Sequence, residues 1–235
     1  MRNTILSLAG ALVCLAPLSA ANAQDAPFAI SANHILVDGG EVLQDGIVIV
    51  ENGKVKAVGL AADLSVGLPK GMAVIEHDGW LSAGLVAANG TMGLGAAQDD
   101  LTSAFTENLL VAESFNGDHS SVTDARDVGV TSFGLTTGRA NVAGGLGSAV
   151  KTQGGKIVNL RTHLTLCIAP PALQGSRFPT SYSGAVTALN ARFAAGVGVY
   201  GAVSRGELGV TIAVDERHEI DRAIRFARGA GLKAT

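Results

Sequence analysis

The chain has 235 residues and a formal net charge of −3, and it contains no run of basic side chains. Binding to nucleic acid depends on clustered Lys and Arg that neutralise phosphates, so the sequence excludes a nucleic-acid partner. With 31 glycines and only 7 Phe, 2 Tyr and 1 Trp, the composition predicts many turns and a core of Val, Leu, Ile and Ala.

Residues 1–23 have the pattern of a secretory signal peptide. Arg2 supplies the positive start, an apolar run extends from Ile5 to Leu18, and Ala21-Asn22-Ala23 matches a small-x-small cleavage site. The apolar run is shorter than the roughly 20 residues of a spanning helix and is interrupted by a glycine and a proline. We therefore expect cleavage, a periplasmic or secreted protein, and no membrane span in the mature chain.

Cysteine usage fits this expectation. Signal cleavage removes Cys14 and leaves Cys167 as the only cysteine of the mature chain, which excludes an intramolecular disulfide. Because Cys167 stands between Leu166 and Ile168, the sequence favours a buried small hydrophobic residue over a nucleophile.

Residues 28–80 have the pattern of a small antiparallel sheet, with short β-branched runs separated by turn residues. The clearest unit is a hairpin in which strands 47–51 and 54–58 flank Asn52-Gly53. Asn-Gly is the dipeptide best suited to the two positive φ angles of a type I′ turn.

After Trp80 the pattern changes to apolar runs that alternate with helical stretches, which is typical of β/α units around a parallel sheet. The predicted strands are 81–88, 130–136 and 208–214. The predicted helices are 122–128, 183–195 and 216–228, the last with an apolar face at helical spacing.

Two segments of the sequence carry a family resemblance. Residues 47–59 read Ile-Val-Ile-Val-Glu-Asn-Gly-Lys-Val-Lys-Ala-Val-Gly, and residues 83–91 read Ala-Gly-Leu-Val-Ala-Ala-Asn-Gly-Thr. They are similar to the hairpin Val-Val-Ile-x-x-Gly-x-Ile-x-x-Val-Gly and the barrel strand Pro-Gly-Leu-Ile-Asp-x-His-x-His of the metal-dependent amidohydrolase superfamily. The chain particularly resembles its exported imidazolonepropionase-like branch.

Two further segments extend this resemblance over most of the mature chain. Residues 129–151 contain Gly-Val-Thr-Ser and Asn-Val-Ala-Gly-Gly-Leu-Gly-Ser-Ala-Val-Lys, similar to the branch's Gly-Val-Thr-Thr and Asn-x-x-Gly-Gly-Gln-Gly-x-x-Val-Lys. Residues 210–233 are similar to a segment reading Val-x-Ile-His-Ala-His-Arg-x-Asp-Asp-Ile, followed by an Ala-x-Arg-x-Ala helix and Gly-Leu-Lys.

The resemblance implies an α/β fold in which a small amidohydrolase-type β-sandwich segment, residues 24–80, precedes a partial (β/α) TIM-type barrel, residues 81–235. A closed barrel needs about 250 residues, whereas 155 follow Trp80. A later histidine and a catalytic aspartate of the family would fall beyond Thr235. We therefore expect a C-terminally short barrel, and a second chain or an oligomer that completes it.

The resemblance also implies zinc or another divalent metal as the family's cofactor. Asn89 and Thr91 stand where the family has its first two histidines, and Ala213 and Asp215 stand at the histidine positions of the later segment. None of these four side chains is an imidazole, the donor that would hold zinc there. We therefore expect no metal at these positions and no other cofactor.

Other residues offer weaker alternatives for a metal site. The five histidines, His34, His77, His119, His163 and His218, are all more than four residues apart, so no local pair exists. Asp99, Asp100 and Glu107 form an oxygen-rich stretch of the kind that calcium or magnesium accepts. Their spacing fits no known loop, which favours a solvated acidic turn.

Three functional hypotheses follow. The first is an exported amidohydrolase-family protein, by resemblance a hydrolase of carbon–nitrogen bonds other than peptide bonds, with a degenerate site and impaired catalysis. Such a pseudoenzyme would serve as a non-enzymatic periplasmic partner subunit or ligand binder. The second keeps hydrolysis through ligands from elsewhere, and the third is a fragment that folds poorly alone. The sequence identifies no catalytic residue and no substrate.

Overall fold

The computed structural model describes residues 26–96 and 98–234. The predicted signal peptide, residues 1–23, lies outside this part of the chain. Internal contacts divide the chain into two units, with the boundary between Ala83 and Gly84. Within the described residues, no helix is long and apolar enough to cross a membrane.

The first unit contains one four-stranded sheet in the order β3-β2-β1-β4. Its strands are β1 (Phe28–Leu36), β2 (Val42–Glu51), β3 (Lys54–Leu60) and β4 (Ala73–Ser82). Strand β2 is antiparallel to β1 and β3, whereas β4 runs parallel to β1. The predicted hairpin is confirmed, with Asn52 at φ 51° and Gly53 at φ 69° in the turn. Only glycine and asparagine adopt this left-handed conformation routinely.

One face of this sheet is covered by its own chain. Ala29, Ile47 and Ile49 are buried beneath the segment that includes the short helix α1 (Ala61–Leu64). The opposite face holds an apolar groove of about 470 Å³ lined by residues such as Ile30. A β-sandwich needs two sheets, and the described residues of this unit supply one, so the predicted sandwich is not completed within residues 26–83.

The second unit contains a five-stranded sheet in the order β5-β6-β7-β8-β9. The strands are β5 (Leu85–Gly90), β6 (Val130–Leu135), β7 (Ala143–Lys151), β8 (Lys156–Cys167) and β9 (Gly209–Ala213). The helices are α2 (Ser120–Asp127), α3 (Tyr182–Ala195), α4 (Gly198–Ser204) and α5 (Arg217–Gly229).

This sheet is mixed, which corrects the expectation of a parallel sheet. Strands β5 and β6 are parallel, as are β8 and β9, but β7 is antiparallel to both of its neighbours. The physical reason is the tight turn after β7, where Gly154 and Gly155 have φ angles of 69° and 54° and close a β7–β8 hairpin. No α-helix lies in this connection or in the one between β6 and β7, so neither supplies the crossover that parallel neighbours require.

The predicted strand 81–88 was also wrong in its bounds, because it joins the end of β4 to the start of β5. The strand is interrupted around Gly84, where a Cβ atom would lie 2.1 Å from the Thr131 side chain. Only glycine allows this close approach between the start of β5 and the neighbouring strand.

The core of the second unit lies between the sheet and helices α3, α4 and α5. Leu164, Leu166 and Ile168 are fully buried against Leu189 and the largely buried Phe226. Cys167 is 1% exposed within this cluster, as predicted for a small buried residue. By contrast, Leu85 and Val86 of the outer strand β5 are largely exposed to solvent.

Candidate active-site edge

The candidate site lies at one edge of the five-stranded sheet. Because β7 is antiparallel on both sides, strands β5, β6, β8 and β9 all run in one direction, and their carboxyl ends share an edge. Ligands of α/β proteins bind at this edge. Asn89 lies in β5, Thr91 follows it, Ala213 ends β9, and Asp215 lies two residues beyond.

The two halves of the predicted ligand set are far apart in the sheet. Strands β5 and β9 are the outer strands, with three strands between them. At the usual spacing of about 4.8 Å, that is roughly 19 Å along the sheet. No hydrogen bond or ion pair between described residues joins Asn89 or Thr91 to Ala213 or Asp215. Each half instead has its own partners.

On β5, Asn89 is tied to the next strand. Its Oδ1 accepts a hydrogen bond of 2.7 Å from the Thr136 hydroxyl, and Thr136 itself is 2% exposed. The Thr136 amide also donates to the Gly90 carbonyl at 2.9 Å, which fixes the end of β6 against β5. Thr91 is exposed, and its carbonyl accepts the Leu94 amide. The β5 half therefore offers an engaged amide and a hydroxyl in place of two imidazoles.

Asp215, on the β9 side, is held by a guanidinium. Arg139, from the loop between β6 and β7, donates to both carboxylate oxygens, with Nη1–Oδ1 at 2.8 Å and Nη2–Oδ2 at 2.7 Å. This two-bond arrangement is the strongest geometry available to an arginine and a carboxylate. Its hydrogen bonds hold the pKa of Arg139 above its ordinary value. Both oxygens of Asp215 are thus engaged, and Ala213 offers only a methyl group.

The backbone of Asp215 is fixed by the start of α5. The carboxylate of Glu219, which is 1% exposed, accepts hydrogen bonds from the amides of Asp215 (2.9 Å) and Glu216 (3.2 Å) and from the Tyr182 hydroxyl (2.7 Å). Glu216 and Glu219 form a capping box at this helix terminus. Burial acts to raise the pKa of Glu219, but these hydrogen bonds outweigh it and lower the pKa to about 2. Glu219 is therefore a structural carboxylate.

A neighbouring loop carries Arg139 and is itself held by Arg177. The Arg177 guanidinium donates to the carbonyls of Ser103 and Ala140 and to Asn141 Oδ1, the last at 2.6 Å. Asn141 is 1% exposed. Sequence reasoning missed Arg177, for which no local signal exists. Asn141 had one signal, since it begins the stretch that resembles the family.

The five histidines do not converge on a common site. His34 stacks on Trp80, His77 lies 3.2 Å from the Trp80 carbonyl, and His119 caps α2 by accepting the Ser121 amide. His218 pairs with Glu216 at 3.1 Å. His163 is buried in the sheet, and burial lowers its pKa. No two of them contribute to a common site.

The acidic stretch is likewise dispersed. Asp99 Oδ2 accepts the Ala140 amide at 3.1 Å, and burial raises the pKa of this carboxyl group. Asp100 accepts from the amide and hydroxyl of Thr102, which lower its pKa. Glu107 lies beside the Tyr200 hydroxyl, whose pKa is raised by burial and by this carboxylate.

Divalent zinc in proteins is held by Cys, His, Asp or Glu, usually with three or four of them converging. Residues 26–96 and 98–234 contain no group of three such side chains that could hold a metal ion. At the four aligned positions one carboxylate remains, and Arg139 already occupies it. The residues present at this edge therefore do not fit the divalent metal that the resemblance implies.

Comparison with solved structures decides the fold. An amidohydrolase from Thermotoga maritima matches 88% of this chain with a TM-score of 0.76 and 20% sequence identity. The chain has the fold of the amidohydrolase superfamily. It spans 63% of the length of that solved chain. The resemblance seen in the sequence is thus confirmed at the level of the fold.

Two further solved structures match the chain less well. Ochratoxinase from A. niger and a zinc-bound adenosine deaminase from Xanthomonas campestris have TM-scores of 0.37 and 0.33, at 15% and 14% identity. Each match covers 88% of this chain, and 45% and 48% of theirs, respectively. No protein-family model matches the chain, and no curated protein matches it.

Proposed function

We propose that this chain is an exported member of the amidohydrolase superfamily that has lost its metal centre and with it most or all hydrolytic activity. The observation that carries the proposal is the two-bond ion pair between Arg139 and Asp215. A metal-dependent hydrolase must present free lone pairs to its metal. Here the only anionic side chain among the four aligned positions presents both of its oxygens to a guanidinium.

The β5 half supports the same conclusion. Asn89 Oδ1 is engaged by the Thr136 hydroxyl, and a neutral amide oxygen is a poor substitute for imidazole toward zinc. The loss is therefore distributed over both outer strands of the sheet. Restoring a single histidine would leave too few ligands to hold a metal.

The architecture that we propose for the second unit is a partial (β/α) TIM-type barrel. Strands β5, β6, β8 and β9 share one direction, α2 precedes β6, and α5 follows β9. Ala234, after α5, forms a parallel bridge to Val210 of β9, as the start of a further strand would.

The alternative function is that of a non-enzymatic periplasmic partner subunit. Its support is the outer strand β5, where Leu85 and Val86 are 62% and 71% exposed. An exposed apolar edge strand is a template for pairing with another chain. We propose that a second chain or an oligomer covers this edge and completes the barrel.

The test of the main proposal is a calorimetric titration, in which zinc chloride is added to the purified mature chain and the heat of binding is measured. We expect no saturable binding. An Asn89→Ala variant serves as the control for the aligned positions. Binding of one zinc per chain that this substitution weakens would contradict the proposal, because the aligned positions would then be working ligands.

Export is tested separately by the N-terminus of the protein recovered from the periplasm. The proposal predicts a mature chain that begins at Gln24. A full-length chain that begins at Met1 and remains in the cytoplasm would contradict export without affecting the metal-site argument.

A further inference from the structure

A cleft between helices α3 and α5 is lined by groups that bind anions. It has a volume of about 470 Å³, within the range of small-molecule sites. Ser183, Thr187 and Asn190 line it from α3, at spacings that place them on one face of that helix. Arg222 and Arg225, three residues apart on α5, line it from the other side.

The local charge is strongly positive in a chain whose net charge is −3. Helices α3 and α5 together carry five arginines and only two carboxylates, Glu219 and Asp221. Glu219 is buried and engaged by three hydrogen bonds. Within the described part of the chain, neither Arg222 nor Arg225 forms a salt bridge, so their charge remains available to a ligand.

Arg222 is already positioned. Its guanidinium lies 3.6 Å from the centroid of the Tyr182 ring, a cation–π contact. Tyr182 in turn donates its hydroxyl hydrogen to Glu219 at 2.7 Å. The Nη1 atom of Arg222 is buried without a hydrogen-bond partner among the described residues. A cation fixed in advance loses less conformational entropy when it binds.

The cleft continues into an uncharged extension. A second cavity of about 430 Å³ shares Asn190 and Gly229 with it and is lined by Phe193, Ala194 and Ala230. A ligand that follows this path would meet two guanidinium groups at one end and apolar or small side chains at the other.

We propose that the α3–α5 cleft binds a small molecule that carries a carboxylate or phosphate group next to an uncharged portion. The planar guanidinium donors of Arg222 and Arg225 match the geometry of such oxyanions, and the hydroxyl and amide groups of α3 supply further hydrogen bonds. The site shares no residue with Asn89, Thr91, Ala213 or Asp215. Its test is therefore independent of whether the metal centre is lost.

The test is calorimetric titration of the full mature chain at constant ionic strength with two probes, inorganic phosphate and hippurate, an aromatic amide that carries a carboxylate. We expect saturable binding of at least one probe. The Arg225→Gln variant should bind it about ten-fold more weakly or worse, because a charge-assisted hydrogen bond is lost. The matched control is Arg228→Gln, which makes the same charge change on the same helix but does not line the cleft.

A preference for phosphate would name a phosphoryl group as the ligand's anion, whereas a preference for hippurate would indicate recognition of a carboxylate together with its uncharged portion. Two results would overturn the proposal. One is the absence of saturable binding of both probes to the wild-type chain. The other is an equal loss of binding in Arg225→Gln and Arg228→Gln, because that would indicate general attraction to a basic surface.

Discussion

At the scale of single residues, the hydrogen-bond partners of Asn89 and Asp215 are a stronger argument against a metal site than the missing histidines are. Arg139 lies 76 residues before Asp215 in the chain, and Thr136 lies 47 residues after Asn89, yet each pair is in direct contact. The Arg139 guanidinium compensates the charge of Asp215. The oxygens of Asp215 and Asn89 Oδ1 are thus engaged by protein groups, although Arg139 Nε is buried without a hydrogen-bond partner among the described residues.

Replacing Arg139 tests whether its ion pair with Asp215 is alone sufficient to exclude a metal ion. In Arg139→Gln, Asp215 is released, and the free energy of unfolding should fall by about 1 kcal/mol or less, because both side chains are partly exposed. Zinc binding should not appear, since one free carboxylate is not a zinc site. Urea unfolding and a zinc titration measure both effects. Tight zinc binding by the variant would show that Arg139 was the only barrier.

His163 should make the stability depend on pH. The residue is 8% exposed, its Nε2 has no hydrogen-bond partner in the described chain, and burial lowers its pKa below 6.5. The unfolded chain therefore takes up a proton first as the pH falls below 6.5, and the folded state loses stability until the folded pKa is reached. The free energy of unfolding should thus fall on acidification in the wild type, and less steeply in His163→Gln.

The matched control for this experiment is His119→Gln, at an exposed histidine that caps α2. In this variant the free energy of unfolding should still fall on acidification as it does in the wild type. If the free energy of unfolding of His163→Gln falls between pH 7 and pH 5 as steeply as that of the wild type, burial of His163 is not the cause of the pH dependence.

Glu219 contributes in the same direction at lower pH, because its folded pKa is also below the ordinary value. Its folded pKa of about 2 lies below the ordinary value of 4.5, so its stabilising effect is complete above pH 4.5 and is lost between pH 4.5 and about 2. Glu219→Gln should be less stable than the wild type at pH 7, because a buried charge-assisted network is broken. The difference, measured by urea unfolding, should shrink as the pH falls through this window. A difference that is constant with pH would refute the role of the ionised carboxylate.

At the scale of elements, local pattern predicted three of the four α-helices of the second unit and missed α4 (Gly198–Ser204), which has two glycines in seven residues. Helix α3 was predicted over 183–195 and is found over Tyr182–Ala195, and α5 was predicted over 216–228 and is found over Arg217–Gly229. A helix is set mainly by residues within a few positions of one another, namely its apolar spacing, its cap and its terminating glycine. The same holds for the Asn52-Gly53 hairpin.

Strand direction was not predictable in this way. Strand β7 is rich in glycine, which weakens a strand signal. Its place in the sheet depends on contacts far away in sequence: a Cβ atom at Gly147 would lie 2.2 Å from the His163 ring, and one at Gly145 would lie 2.7 Å from the Leu109 carbonyl. The local hydrophobic pattern of the sequence does not predict such long-range contacts. The partners of Asp215 and Asn89 escaped prediction for the same reason.

The outer strand β5 gives a prediction about association. Val86 is 71% exposed on this edge, and Val86→Lys should reduce self-association because a charged side chain blocks edge-to-edge pairing. Light scattering across a concentration series is the measurement, with an increase in mass expected for the wild type. Val128→Lys is the control, since Val128 is 74% exposed but ends α2 rather than lying on the sheet. An equal effect of both substitutions, or a wild type that remains monomeric, would contradict pairing at β5.

At the scale of the whole molecule, the fold is that of an amidohydrolase, whereas the side chains at the candidate site do not fit a divalent metal. The match at a TM-score of 0.76 identifies the amidohydrolase fold, and the chain spans 63% of the solved structure that it matches. The described residues contain no group of side chains that could hold a metal ion, and at the carboxyl edge of the sheet Asn89 and Asp215 are paired with Thr136 and Arg139. The fold alone therefore does not assign a chemistry to this chain.

The most direct test of the lost metal centre is the zinc content of the purified mature chain, measured together with its hydrolysis of amide, lactam and dipeptide substrates on the same sample. The account predicts far less than one zinc per chain and no hydrolysis that a chelator abolishes. Stoichiometric zinc together with chelator-sensitive hydrolysis would contradict it, because a working metal centre would then exist despite Asn89, Thr91, Ala213 and Asp215.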